Sequence, residues 1–273
     1  MMLVDGIPTT VVGAGDRGLN YGDGLFETMR VHAGRICLLP RHLARLRAGC
    51  QRIALPYPGD TAIEADLARL VAAAGPGGAG VVRLVVTRGD GGRGYAPPPH
   101  ATARRIAALY PLPMPGPDAL AVGICDTRLG HSPALGGLKH LGRLEQVLAA
   151  GETAVAGWDE GLMLDSCGQV VEGTRHNLFF VRAGRTWTPP LDGCGVAGVM
   201  RELVLETLER LGLPGGEAPL RYDELHEIEE MFLCNAVAGV RPVSRLAGRT
   251  LGHARMAAAL RLPLVEAGVA WLA

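Results

Sequence analysis

Tyr110-Pro111-Leu112-Pro113-Met114-Pro115-Gly116-Pro117-Asp118 divides the chain. Four prolines in nine residues cannot continue a helix or a central strand, so the stretch is an extended connector. Two lobes are expected, residues 1–112 and 120–273, joined through 113–119. Working back from the connector, the runs 81–88 and 104–110 read as strands, and the apolar, β-branched character of the first suggests cover on both faces. Helices are expected over 39–53 and 61–74, with a loop over 75–80 and a short strand pair ahead of them. Working forward, strands are expected over 120–128, 161–165, 169–172, 177–182 and 231–235. Helices are expected over 138–156, 199–211 and 252–267, the last kinked or broken at Pro263. Leu138, Leu141, Leu144 and Leu148 share one face of the helix expected over 138–156. The fold class is α+β, without internal repeats.

The chain has 273 residues, 48% of them hydrophobic and only 4% aromatic, so Val, Leu and Ala must fill its core. Net charge is zero and no basic run occurs, which argues against a nucleic-acid partner. The first ten residues lack a charged segment followed by an apolar core, so no signal peptide is expected, and no apolar stretch approaches membrane-spanning length. Six scattered cysteines without a C-x-x-C read as reduced, small hydrophobes of a cytoplasmic protein, supporting neither a metal site nor a disulfide framework.

Lys139 is the only lysine, in Gly136-Gly137-Leu138-Lys139-His140-Leu141 at the expected helix entry. In a chain that otherwise uses arginine, this is the one cationic side chain that readily becomes a nucleophile. Glu172 follows in Val170-Val171-Glu172-Gly173-Thr174. An amine and a nearby acid are what a pyridoxal phosphate enzyme needs: the amine forms a Schiff base with the aldehyde, and the acid keeps the pyridine nitrogen protonated.

Two G-x-G-x-x-G matches, at 13–18 and 89–94, raise a dinucleotide-binding alternative. Leu-Asn-Tyr-Gly-Asp-Gly follows the first and Tyr-Ala-Pro-Pro-Pro the second, and neither is expected to open the phosphate-binding helix. These glycines are instead expected to permit tight turns.

The run Asp16-Arg17-Gly18-Leu19-Asn20-Tyr21-Gly22-Asp23-Gly24-Leu25-Phe26-Glu27-Thr28 resembles the N-terminal signature of the branched-chain-aminotransferase-like, fold type IV pyridoxal phosphate enzymes. Further matching segments follow in family order: His42-Leu43-Ala44-Arg45-Leu46, Arg88 to Tyr95, Leu138-Lys139-His140, Glu172-Gly173-Thr174 with Asn177-Leu178-Phe179, Gly198-Val199-Met200-Arg201, and Cys234-Asn235-Ala236. The likeness covers essentially the whole chain. The Gly-Gly-Arg-Gly-Tyr run, the Lys-His-Leu-x-Arg-Leu-Glu-Gln segment and the Cys-Asn-Ala strand look more like the family's lyases acting on aminodeoxychorismate than like its transaminases.

The resemblance implies a two-lobed fold like that of D-amino acid aminotransferase, with a small N-terminal and a larger C-terminal domain and pyridoxal 5'-phosphate between them. It implies conversion of 4-amino-4-deoxychorismate to 4-aminobenzoate and pyruvate, a step of folate synthesis, with the protein a homodimer. An aminotransferase acting on branched-chain or D-amino acids is the competing expectation. Lys139 would hold the cofactor and shuttle the proton, and Glu172 would pair with the ring nitrogen. Arg45, the helix entry at Val199 and Met200, and Asn235 with Ala236 would hold the phosphate, while Val196 would pack on the ring. Asn177 would hydrogen-bond near the ring hydroxyl or support its strand. Arg88, Arg93 and Tyr95 are the candidates for substrate carboxylates. His140 is expected to pack or support. Gly142 departs from the pattern, since such lyases usually carry Asn there, and it weakens a helix by about 1 kcal/mol relative to alanine.

Overall fold

The computed structural model describes every residue except Pro76 and Ala273. The loop expected over 75–80 includes Pro76 and to that extent lies outside the described residues. The chain forms two compact units, Met1–Pro113 with Lys139–Gly142, and Met114–Leu138 with Arg143–Ala273.

The first unit runs β1 (Met2–Val4), β2 (Ile7–Pro8), α1 (Arg17–Tyr21), β3 (Gly24–His32), β4 (Arg35–Ile36), α2 (Leu39–Arg52), α3 (Asp60–Ala73), β5 (Gly80–Thr87) and β6 (Arg104–Tyr110). Its six strands pair antiparallel in the order β2-β1-β6-β5-β3-β4. Alternation along β3 turns Leu25, Met29 and Val31 inward beside Val82, Leu84 and Val86 of β5. Leu43, Leu46 and Cys50 of α2 and Ile63, Leu67 and Leu70 of α3 close the core at helical spacing, each large side chain contributing roughly 1.5–3 kcal/mol by burial. Glu27 occupies an inward position in the same alternation, where a charge survives only with partners.

The second unit runs β7 (Leu120–Leu129), α4 (Leu144–Ala156), β8 (Glu160–Asp165), β9 (Val170–Gly173), β10 (Asn177–Arg182), β11 (Arg185–Thr188), α5 (Val199–Arg210), β12 (Gly215–Glu217), β13 (Glu230–Asn235), β14 (Gly239–Leu246), β15 (Arg249–Thr250) and α6 (Arg255–Glu266). Its nine-stranded sheet is mixed, and α4 forms the crossover that the parallel pair β7 and β8 requires. Leu162, Leu178, Phe180, Met231 and Leu233 fill one core, while Phe179 and Phe232, paired across β10 and β13, stack 5.0 Å apart. Pro263 lies inside α6 without ending it.

Two local expectations are overturned. The helix expected over 138–156 begins only at Leu144. The backbone of Lys139 and Leu141 is used elsewhere: Phe26 N–H donates to the Lys139 carbonyl at 3.0 Å, and Leu141 N–H donates to the Gly24 carbonyl at 3.0 Å. The segment lies as a single antiparallel bridge on the edge of β3, with His140 opposite Leu25. The leucine periodicity that suggested a longer helix marks no buried face, since Leu144 is 71% and Leu148 56% exposed. The second correction is α1, a helical turn where none was expected. The Asp16 side chain accepts from Gly18 N–H at 2.8 Å, and Gly22 ends the turn in the left-handed region, φ 66°.

No helix among the described residues is long and apolar enough to cross a membrane.

Candidate active site

In the first unit, the bridge that pairs Leu25 with His140 sets Lys139 opposite Phe26. The Lys139 Nζ accordingly stands over the Phe26 ring, 4.3 Å from its centroid. Arg83 places its guanidinium carbon 4.3 Å from the same centroid. Lys139 and His140 do diverge, through the alternation of extended backbone and not through helical geometry.

Phe26 and Glu27 are consecutive on β3, so their side chains leave the sheet on opposite faces. Glu27 meets α2, where His42 Nδ1 lies 2.6 Å from its Oε2 and Arg45 Nε donates to its Oε1 at 2.8 Å. Burial opposes ionisation of Glu27, but the Arg45 charge and the His42 hydrogen bond outweigh it and hold the carboxyl at about 2. Arg45 is thus already oriented by a buried carboxylate. His42 and Arg45 lie three residues apart on α2, a spacing that puts both on one face. Together with the inward register of Glu27, that spacing was the available signal for a cluster the sequence reading missed.

The three arginine and tyrosine candidates separate. Arg88 is buried, and its guanidinium donates to Asp23 at 2.8 Å and to the carbonyls of Ala54 and Ile53 at 2.6 and 3.0 Å. Arg93 and Tyr95 are exposed together on one loop, Tyr95 by 87%. Burial works against the Asp23 charge, but hydrogen bonds from Arg88 and Arg17 hold its pKa below the ordinary range.

In the second unit, Glu172 is only 5% exposed, and its Oε2 accepts from Val196 N–H at 2.8 Å. The Val196 carbonyl accepts from Asn177 Nδ2 at 2.8 Å, so both backbone groups of Val196 are fixed by side chains named from the sequence. The intervening turn needs glycine: Gly195 has φ 79°, and a Cβ there would lie 2.7 Å from Leu191 and 2.9 Å from Val171. A Cβ on Gly198 would fall 2.0 Å from Asn177 Oδ1.

Gly198 leads extended into α5, which has no side-chain cap. Val199 and Met200 bury their side chains, so what this helix start can offer an anion is backbone N–H groups. Asn235 is committed to its own turn, its Oδ1 accepting from Val237 and Ala238 N–H at 2.9 and 2.7 Å, with Ala236 half-buried between. A second group missed in the sequence lies against Gly173: buried Glu160 accepts from Thr174 N–H at 3.0 Å and pairs with His176 Nδ1. Burial disfavours its charge, but His176 and Thr174 keep it below the usual carboxylate range.

A sequence model of the family described as Amino-transferase class IV matches residues 24–246. The chain belongs to that family. Among relatives of this class IV chain, an aminodeoxychorismate lyase of Vibrio harveyi is 35% identical over 89% of the chain and 90% of that protein. A putative branched-chain-amino-acid aminotransferase of Methanocaldococcus jannaschii is 31% identical over 87% of the chain and 83% of that protein. The crystal structure of a 4-amino-4-deoxychorismate lyase from Pseudomonas aeruginosa superposes with a TM-score of 0.89 at 45% identity, covering 97% of this chain and 98% of that one.

Each unit by itself carries groups that fit pyridoxal phosphate: the first an amine for its aldehyde, the second a buried carboxylate for its ring nitrogen and an uncapped helix start for its phosphate.

Proposed function

We propose that the chain is a pyridoxal-phosphate-dependent lyase converting 4-amino-4-deoxychorismate to 4-aminobenzoate and pyruvate, a step of folate synthesis. The observation that carries it is the near full-length likeness to two such lyases, stronger than that to the transaminase relative.

When bound, the cofactor supplies an electron-withdrawing ring that accepts the electron pair left on carbon. Lys139 would hold the cofactor by its aldehyde through Nζ, and the same Nζ would take the proton from the substrate carbon that bears the amine. Glu172 holds a proton on the ring nitrogen, and the Val196 N–H keeps the carboxylate oriented. Val196 would pack on the ring, its carbonyl fixed by Asn177. The N–H groups of Val199 and Met200, with Arg45 and the Asn235–Ala236 turn, would hold the phosphate. Arg93 and Tyr95 bind substrate carboxylates, and Arg88 supports their loop through Asp23. Departure of enolpyruvate makes the substrate ring aromatic, so no second amino acceptor enters.

The protein acts as a homodimer. Leu144, Val147, Leu148, Gly151 and Val155 form one stripe along α4, and its four large side chains are exposed, a surface suited to a second copy. It works in the cytoplasm, where its six free cysteines stay reduced.

Purified protein supplied with pyridoxal phosphate and aminodeoxychorismate should release pyruvate and 4-aminobenzoate. The Lys139→Ala variant should release neither and should lose the yellow colour of the bound cofactor. Steady turnover of a 2-oxo acid with an amino donor, and no pyruvate from aminodeoxychorismate, would establish the transaminase instead.

A further inference from the structure

The exposed loop carrying Arg93 and Tyr95 forms neither helix nor strand, and its first part is loosened by Gly91, Gly92 and Gly94 ahead of the prolines at 97–99. What fixes it is a side chain from α1. Arg17 is 3% exposed, and its guanidinium donates to three successive carbonyls of the loop: Nη1 to Gly94 at 3.0 Å and Ala96 at 3.4 Å, and Nη2 to Tyr95 at 2.8 Å. Its remaining edge donates from Nε to Asp23 Oδ2 at 2.8 Å, the same oxygen that Arg88 Nε reaches at 2.8 Å. Arg88 in turn is tied to the carbonyls that end α2.

The loop is also shaped to receive Arg17. A Cβ on Gly91 would lie 2.7 Å from Arg17 Cδ, so the absence of a side chain there admits the arginine stem. Tyr21, one turn along α1, completes the clasp. The Arg17 guanidinium carbon lies 4.8 Å from the Tyr21 ring centroid, Gly94 N–H donates to the Tyr21 hydroxyl at 3.1 Å, and the Tyr21 and Tyr95 rings meet edge to face at 5.6 Å.

We propose that Arg17, with Tyr21, is the positioning residue that holds the Arg93–Tyr95 loop in the conformation that receives substrate carboxylates. This rests on the assignment of Arg93 and Tyr95 to substrate. Arg17 acts through main-chain carbonyls and need not touch the substrate itself. Its planar fork spans three acceptors where a lysine ammonium, a point charge, cannot.

The test uses the holoenzyme. In Arg17→Met, trypsin should cleave after Arg93 about tenfold faster, because opening of the loop sets the rate. KM for aminodeoxychorismate should rise about tenfold while kcat stays within about threefold, and the cofactor absorbance should be unchanged. Arg17→Lys should behave the same way, and Tyr21→Phe should show a smaller shift in the same direction. If Arg17→Met does not fold, those two variants carry the test. Unchanged cleavage, or faster cleavage with an unchanged KM, overturns the positioning role. Arg93→Gln separates the premise. If KM is not raised there, the loop does not bind substrate and the proposal falls with that assignment. If KM rises there but in none of the Arg17 and Tyr21 variants, only the clasp is wrong.

Discussion

The Lys139 amine and the Phe26 ring face each other across neighbouring extended segments, 4.3 Å apart, because the main chain pairs Phe26 N–H with the Lys139 carbonyl. The ring gives the amine a fixed resting place. Phe26→Leu keeps an apolar side chain but removes the aromatic face, at a cost of about 1 kcal/mol of alignment. The expected result is a roughly fivefold fall in kcat with the cofactor still bound. Single-turnover measurement of pyruvate release reads it, and an unchanged rate would mean that the contact does not align the amine.

Glu27 makes acid stability informative. Its folded pKa, about 2, lies below the ordinary value of 4.5, so its contribution is complete above about 4.5 and is lost as pH falls toward 2. Urea midpoints for the wild type should drop across that window, and Glu27→Gln should remove part of the drop. Parallel curves for the two proteins would show that Glu27 carries no such linkage.

Glu172→Gln leaves an oxygen able to accept from Val196 N–H but removes the charge. The variant should fold and keep its colour while kcat falls on the order of a hundredfold, since proton retention on the ring nitrogen is what is lost. Wild-type turnover in this variant would reassign the ring nitrogen to another partner.

Gly198→Ala places a methyl group where Asn177 Oδ1 now sits, at 2.0 Å. Asn177 should be driven from the Val196 carbonyl and the approach to α5 distorted, weakening cofactor affinity about tenfold. Fluorescence titration with pyridoxal phosphate measures this, and unaltered affinity would remove the helix start from the binding machinery.

Much of this architecture was readable beforehand because its signals are local. β-branched residues mark β5, although its burial alternates where cover on both faces was expected; α5 falls within the expected 199–211, and Asn177 to Arg182 forms β10 at the expected bounds. The path of the chain after Leu138 was not readable. A period of three to four residues looks helical whatever the backbone does, and the partner that diverted it, the edge of β3, lies more than a hundred residues earlier. The short helix at Arg17 was missed for the opposite reason: Asp16 and Gly22 are local caps, but the glycines between and around them pointed to tight turns alone. In the candidate site, chemistry-bearing types stood out, as with Lys139 and Glu172. The surroundings that orient Arg17 and Arg88 did not, because no spacing reveals that both meet the carboxylate of Asp23.

Main-chain amides and carbonyls moor the lysine segment to β3, and a change of side chain at position 139 leaves those hydrogen bonds in place. Truncation at position 139 therefore acts as a chemical knockout rather than a folding lesion, and an inactive variant can be interpreted as loss of the amine and its short stem from an otherwise intact framework.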